Sequence, residues 1–317
     1  MPRWIDPMLA TLTSERFDSP EWIYEHKLDG ERCLAYVEAG TVRLRSRNDH
    51  PIDASYPEIA AAFDGAAVDV IVDGEVVAIG EDGVDRFELL QHRMQLQRPA
   101  KALATGIHVE YHVFDILWAG GYSTLELPVL ERKAVLRGVV TFGERIVYVD
   151  HRSPDGVAYY QEACRRGWEG LIAKRIAARY QPGKRSKDWL KFKCVANQEL
   201  VIGGFTDPKG SRVGFGALLV GYHDADHRLR YAGKVGTGFD ERTLRELRSV
   251  LDRLERPEPP FAEDPDLPRR GVHWVEPRLV AEVAFSEWTD SGKLRHPRFQ
   301  GLRRDKPASS VVREIPR

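Results

Sequence analysis

The sequence predicts an α+β chain in two parts: a larger domain of antiparallel sheets over residues 1–194 and a small β-barrel over residues 195–317. Three observations point there. Short β-branched runs alternate with amphipathic helical patterns through the first two-thirds of the chain. Gly- and Asp-rich turns separate those runs, which favours antiparallel pairing over a doubly wound parallel sheet. After about Cys194 the texture changes to short strands punctuated by Gly and Asp turns, as in a small barrel. A length of 317 residues fits two domains, and a hydrophobic fraction of 42% supplies two cores.

Taken in order, strands are expected at 22–28, 32–37, 42–45, 68–79, 107–118, 146–149, 170–174 and 188–192, where apolar and β-branched residues concentrate. Residues 56–63, 130–139 and 157–166 read as helices, the last preceded by the turn Pro154-Asp155-Gly156. Beyond 194, strands are expected at 199–205, 217–222, 230–234 and 279–285. Between them Asp240 caps a helix whose Leu244, Leu247, Leu251 and Leu254 recur at three- and four-residue spacing, followed by a Pro- and acid-rich loop at 255–268. Five strands with one helix fit an OB-fold, a module that often holds nucleic acid, and would also fit other small barrels.

The charge is balanced, with 47 Lys plus Arg against 48 Asp plus Glu, which argues against a disordered chain and against a uniformly basic coat. It is not evenly spread. Lys174 to Lys193 carries eight basic residues and one acid, and Lys293 to Arg317 carries eight basic residues and two acids, so both stretches are candidate phosphate-facing surfaces. Cys33, Cys164 and Cys194 lie far apart without a CxxC pair, which excludes a four-cysteine zinc site and a disulfide framework and leaves packing as their expected role. The first twenty residues contain no apolar stretch of signal or membrane-spanning length, so a soluble cytoplasmic protein with no membrane partner is expected.

Chemistry concentrates in a few segments. In Glu25-His26-Lys27-Leu28-Asp29-Gly30-Glu31-Arg32 a lysine ends a strand and Asp-Gly supplies the turn into the next. Lysine is a nucleophile only when neutral, so desolvation or nearby cations must lower its pKa. Lys191 and Lys193 are two apart on a strand pattern and share one face, while Leu190 and Phe192 take the other, a pairing of cations that suits a triphosphate. Glu75, in Asp73-Gly74-Glu75, and Glu169, in Glu169-Gly170-Leu171, sit at the edges of apolar strands, where a carboxylate needs a cation or a divalent metal. Arg45-Ser46-Arg47-Asn48 and Phe114-Asp115 complete the set. The histidines of His108-Val109-Glu110-Tyr111-His112 fall on a strand pattern, not on the helix that HExxH zinc sites use, and His223 to His227 reads as a polar hairpin tip.

The order of these segments resembles the covalent nucleotidyltransferase superfamily, most closely the ATP-dependent DNA ligases, and in particular the ligase domain of bacterial end-joining (LigD-type) ligases. The resemblance covers nearly the whole chain: KLDGER at Lys27–Arg32, SRN at 46–48, DGE at 73–75, FD at 114–115, EGLIAKR at 169–175, WLKFK at 189–193 and GLRRDK at Gly301–Lys306. It implies an antiparallel-sheet nucleotidyltransferase (ATP-grasp-like) domain followed by an OB-fold domain. It also implies nick sealing in three steps: transfer of AMP from ATP to Lys27, transfer of AMP to the 5′-phosphate of nicked double-stranded DNA, and attack by the 3′-hydroxyl.

By the same resemblance Glu25 holds the adenine, Phe114 stacks on it, and Arg32 and Arg47 engage ribose and the nick phosphate. Glu75 reads the ribose hydroxyl or assists a metal, Glu169 binds Mg2+ or Mn2+, and Lys191 and Lys193 clamp the α-phosphate and help depress the Lys27 pKa. Arg303, Asp305 and Lys306 match the element that approaches the pyrophosphate. A monomer working with DNA repair or end-joining proteins at the nucleoid is expected, and, since no N-terminal DNA-binding, polymerase or nuclease domain is seen in the sequence, a minimal stand-alone enzyme is expected. An RNA ligase or RNA-capping guanylyltransferase shares the KxDGxR element, and a catalytically inactive OB-fold nucleic-acid-binding protein is the non-enzyme alternative. NAD-dependent ligases fit less well, because their four-cysteine zinc module has no counterpart here.

Overall fold

The computed structural model of the protein describes residues 1–63, 67–80, 83–94, 96–194, 196–208 and 210–314. They divide into two compact units, one within Met1–Cys194 and one within 196–314. Val195, beside the expected boundary, and Arg317 of the second basic stretch lie outside the described residues.

The first unit runs β1 (Leu9–Leu12), β2 (Trp22–His26), β3 (Glu31–Glu38), β4 (Thr41–Ser46), α1 (Pro57–Ala61), β5 (Val70–Ala78), α2 (Phe87–Leu90), α3 (Pro99–Leu103) and β6 (Val109–Ala119). It continues through β7 (Tyr122–Ser123), α4 (Val129–Val139), β8 (Ile146–Tyr148), β9 (His151–Arg152), α5 (Gly156–Arg165), β10 (Gly170–Arg175) and β11 (Arg185–Lys193). Two sheets result, one ordered β1-β11-β10-β2-β9 and one ordered β4-β3-β5-β6-β7 with β8 alongside β6. Pairing is antiparallel as expected, except where β1 runs parallel to β11 and β8 parallel to β6.

Burial explains the layers. Ile5, Met8, Leu34, Tyr36, Ile71, Leu117, Tyr180 and Trp189, drawn from both sheets and their flanks, form one buried cluster. The outer face of the second sheet is covered by α1, α2 and α4, with Ile59, Phe87, Leu90 and Leu136 against Val72, Val76 and Val113. α5 covers the outer face of the first sheet, setting Tyr159 and Ala163 against Tyr24, Leu171 and Phe192. The chain passes from the first sheet to the second through residues 27–30, between β2 and β3.

The second unit comprises β12 (Ala196–Thr206), β13 (Leu218–His223), β14 (Leu229–Val235), α6 (Glu241–Asp252), β15 (Glu255–Arg256), β16 (Val272–Phe285), β17 (Glu287–Trp288), β18 (Leu294–Arg295) and β19 (Arg298–Leu302). Its sheet is ordered β14-β13-β12-β16-β15, with β19 also on β16. Among the described residues the ladder is not a continuous closed barrel; an isolated bridge between Thr237 and Arg298 joins the end of β14 to β19. Asp240 caps α6 by accepting from the Thr243 backbone N–H at 2.7 Å, and Leu244, Leu247 and Leu251 are buried against the sheet. His223 to His227 forms the tip of the β13–β14 hairpin, where Asp224 accepts from the Asp226 and Arg228 backbone N–H groups.

Two sequence expectations need correction. Cys164 and Cys194 are not merely packed: they form a disulfide, with their Cα atoms 5.2 Å apart. The β10–β11 hairpin that follows α5 returns the chain to the last turn of that helix, a closure invisible in a separation of 30 residues. Cys33 alone keeps the packing role, fully buried on β3 of the second sheet. The stretch at 255–268 is not wholly loop, since Glu255 and Arg256 pair with Val275 and Trp274, and β16 begins seven residues earlier than expected.

Candidate active site

Most of the singled-out residues of the first unit meet where the chain changes sheets. Lys27 follows β2, and its backbone N–H donates to the Gly170 carbonyl at 2.9 Å, which extends the β2–β10 ladder by one rung. Its ammonium forms a short ion pair with Glu169 Oε2. Lys193 Nζ stands 3.8 Å from the other oxygen, Glu169 Oε1. Gly170 follows Glu169 with φ +146°, and a Cβ there would stand 1.9 Å from the Phe192 carbonyl, so only glycine lets β10 approach β11 this closely. Lys191 lies two residues before Lys193 on β11, opposite Ile172, while Phe192 turns into the apolar cluster under α5.

The second sheet contributes Arg32, Glu75 and Phe114. Arg32 and Glu75 are directly opposed on β3 and β5. The Arg32 guanidinium donates to both oxygens of the fully buried Asp73, and Asp73 Oδ2 also accepts from the Tyr180 hydroxyl at 2.6 Å. Arg32 also lies 4.6 Å from the Phe114 ring centre, and Lys174 Nζ lies 4.5 Å from it. Arg47 is half-buried in the turn after β4.

Glu25, 2% exposed, has one oxygen on Lys133 of α4 and the other on Lys174 of β10, the latter at 2.7 Å. Lys133 also donates to the Val149 carbonyl at 2.9 Å. Beside this group Asp115 and Arg132 form a two-pronged pair at 2.7 and 2.9 Å. The acidic and basic side chains therefore interleave along the space between the sheets, each buried charge meeting its opposite as burial demands.

Electrostatics here departs from the expectation for Lys27. Desolvation pulls its ammonium down, but the Glu169 carboxylate, its hydrogen bond, Asp29 and Glu75 outweigh that, and the pKa is raised. The net direction is upward because Glu169, in contact with Lys27 and 3.8 Å from Lys193, outweighs any lowering by the neighbouring lysines. The partner of Glu169 is thus a pair of lysines. Among the described residues no three His, Cys, Asp or Glu side chains converge tightly enough to enclose a metal. Glu169 and Glu75, both acting on Lys27, still offer the hard oxygen donors that magnesium takes, one or two from protein and the rest from phosphates and water.

In the second unit Arg303 donates to both oxygens of Asp305, at 3.0 and 2.8 Å, and lies 3.8 Å from Glu282. Lys306 pairs with Glu199 at 2.7 Å. Desolvation opposes the charge on Arg303 and on Asp305, yet their mutual attraction raises the first pKa and lowers the second.

Sequence reasoning did not single out Lys133, Lys174, Asp73, Tyr180, Asp85 or Trp168. Lys174 stood within a quoted segment, and it shares a face of β10 with Ile172, the residue paired with Glu25. Lys133 gave no signal, since a lysine at a buried position of an amphipathic helix is unexpected.

Comparison with known proteins fits this geometry. Residues 7–193 match the ATP dependent DNA ligase domain, and residues 211–306 match the ATP dependent DNA ligase C terminal region. The chain is 40% identical over 314 residues to the multifunctional non-homologous end joining DNA repair protein LigD of Mycobacterium tuberculosis, covering 97% of this chain and 40% of that protein. It is 38% identical over 322 residues to the multifunctional non-homologous end joining protein LigD of Pseudomonas aeruginosa, covering 100% of this chain and 37% of that one. The chain therefore spans about two-fifths of the length of these curated relatives. Among solved structures, a mycobacterial DNA ligase D complexed with ATP and MES superposes with a TM-score of 0.72 at 37% identity, covering 98% of both chains. With one family matched across residues 7–193 and its C-terminal region across 211–306, the chain belongs to the ATP-dependent DNA ligases.

Proposed function

We propose that this chain seals nicks in double-stranded DNA, using ATP and a lysyl-AMP intermediate on Lys27. The observation that carries the reading is the Lys27–Glu169–Lys193 cluster at the passage between the two sheets. Paired with Glu169, Lys27 is a protonated ammonium. The first step requires that pair to open and Lys27 to pass one proton to water, while the second proton shed as the P–N bond forms leaves with pyrophosphate. The lysine lone pair forms a P–N bond to the α-phosphorus of ATP while the α–β anhydride breaks and pyrophosphate leaves. AMP passes to the 5′-phosphate of the nick, freeing Lys27. The 3′-hydroxyl then attacks that phosphate, AMP departs, and the phosphodiester is complete. Glu169 and Glu75 are the residues that would hold magnesium or manganese, which when bound would supply charge neutralisation at the reacting phosphates.

Lys191 and Lys193 hold the α-phosphate, Phe114 stacks on the adenine, Glu25 recognises it, and Arg32 and Arg47 engage ribose and the nick phosphate through planar guanidinium forks. In the second unit Arg303 and Lys306 serve the pyrophosphate of the first step, with Asp305 orienting Arg303. The enzyme works as a monomer on nicked DNA in the bacterial cytoplasm, at the nucleoid, alongside repair or end-joining proteins. Among the described residues no helix is long and apolar enough to cross a membrane.

A sealing assay tests the proposal. Purified protein with ATP, magnesium or manganese and a nicked duplex should join the strands, and Lys27→Ala should lower joining by roughly a thousand-fold or more, as loss of a covalent nucleophile does. Joining by the variant at the wild-type rate, or none by wild type with either metal, contradicts it.

A further inference from the structure

Lys27 is held from one side by the β2–β10 ladder, and the turn that follows it is held from the other by a segment that no recognised motif contains. After β5 the chain folds back on itself, with Gly80 N–H donating to the Val84 carbonyl and Asp85 bridging to Ile79. This places the Asp85 carboxylate, 5% exposed, against the turn. Asp85 Oδ2 accepts from the Asp29 backbone N–H at 2.6 Å, and Asp29 Oδ2 in turn accepts from the Phe87 backbone N–H at 3.4 Å. The two segments clasp each other reciprocally. The second oxygen, Asp85 Oδ1, lies 3.5 Å from His26 Nε2, and the His26 ring stacks on Trp168 at 3.9 Å. His26 precedes Lys27, and Trp168 precedes Glu169, so the clasp reaches both members of the central ion pair through their chain neighbours.

We propose that Asp85 is a positioning residue for lysine adenylation. It fixes the turn after Lys27, and through His26 and Trp168 the spacing of Lys27 and Glu169, without touching the substrate. The inference rests on Lys27 being the nucleophile. A nucleophile displaced by about 1 Å loses on the order of 100-fold in rate. The third step of sealing uses a DNA hydroxyl as its nucleophile, so it does not draw on the Lys27 amine and feels Asp85 only through Glu169.

The test follows single-turnover transfer of label from α-labelled ATP to protein alongside sealing of a nicked duplex that already carries AMP on its 5′-phosphate. Asp85→Ala should slow lysine labelling by roughly 100-fold while half-saturation by ATP stays near wild type and sealing of the adenylated duplex falls far less. Asp85→Asn, which keeps an acceptor oxygen for the Asp29 N–H, should recover most of the labelling rate. Equal loss in both assays, or unaltered labelling in Asp85→Ala, overturns the inference. If Asp85→Ala does not fold, Asp85→Glu decides: its longer side chain displaces the turn, so labelling must fall more than sealing, and parallel values overturn the proposal. Absence of label at Lys27 in wild type instead removes the reading on which the inference rests, so the two failures are distinguishable.

Discussion

At the scale of single residues, Asp115 and Arg132 are the most consequential pair outside the reacting groups, being 1% and 0% exposed as side chains. Burial opposes the charged carboxylate, but Arg132, and beyond it Lys174 and Lys133, outweigh this and hold the Asp115 pKa below its ordinary 3.8. The folded-state pKa is depressed, so the stabilisation is fully present above 3.8 and is lost as pH falls through the lower folded value. Asp115→Asn leaves Arg132 buried without its counter-charge and should cost about 3–5 kcal/mol. Thermal melts from pH 7 to pH 3 check both points. The variant should melt lower at neutral pH, and the gap to wild type should narrow only at the acid end. A gap independent of pH would show that Asp115 acts through packing alone. Lys27 and Glu169 are drawn together by the same physics, which explains why the lysine proposed as nucleophile is strongly basic in this state.

At the scale of elements, the strand pair β10–β11 carries Glu169 at its entrance and Lys191 and Lys193 near its end, so its register sets the distance between carboxylate and cations. Gly170 fixes that register. A side chain at φ +146°, driven into the Phe192 carbonyl, has to push the strands apart. Gly170→Ala should therefore destabilise by on the order of 3 kcal/mol and abolish lysine adenylation. A melt and a labelling assay check this, and a stable, active Gly170→Ala enzyme would mean that the strands can slide without consequence. Much of this element was legible in the sequence. Period-two alternation places Lys191 and Lys193 on one face and buries Phe192, and a β-branched run names β5 and β6. β1 was not legible, because four residues, Leu-Ala-Thr-Leu, carry too little pattern and find their partner β11 at the far end of the unit. α2 and α3, at four and five residues, are single turns set by tertiary contacts and not by periodicity. β19 hides in a basic stretch that reads as a candidate phosphate-facing surface.

At the scale of the molecule, the site is assembled from two sheets whose residues lie far apart in sequence. Motif order singles out Lys27, Glu169, Lys191 and Lys193 as candidates, but it cannot reveal which buried cation meets Glu25 across 108 residues, or that Asp85 reaches Asp29 across 56. Those contacts follow from packing one sheet on the other. The same limit hid the Cys164–Cys194 disulfide. What the whole arrangement must accomplish first is to place AMP on Lys27, and everything else in the proposed reaction depends on it. The most direct measurement incubates the protein with α-labelled ATP or GTP and magnesium or manganese, with and without prior treatment with pyrophosphate to clear any AMP already carried, and then reads acid-stable label on the denatured chain. Label from ATP, absent from GTP and from Lys27→Ala, is the predicted result. Label from GTP alone, or ATP label of equal intensity on Lys27→Ala, contradicts the account.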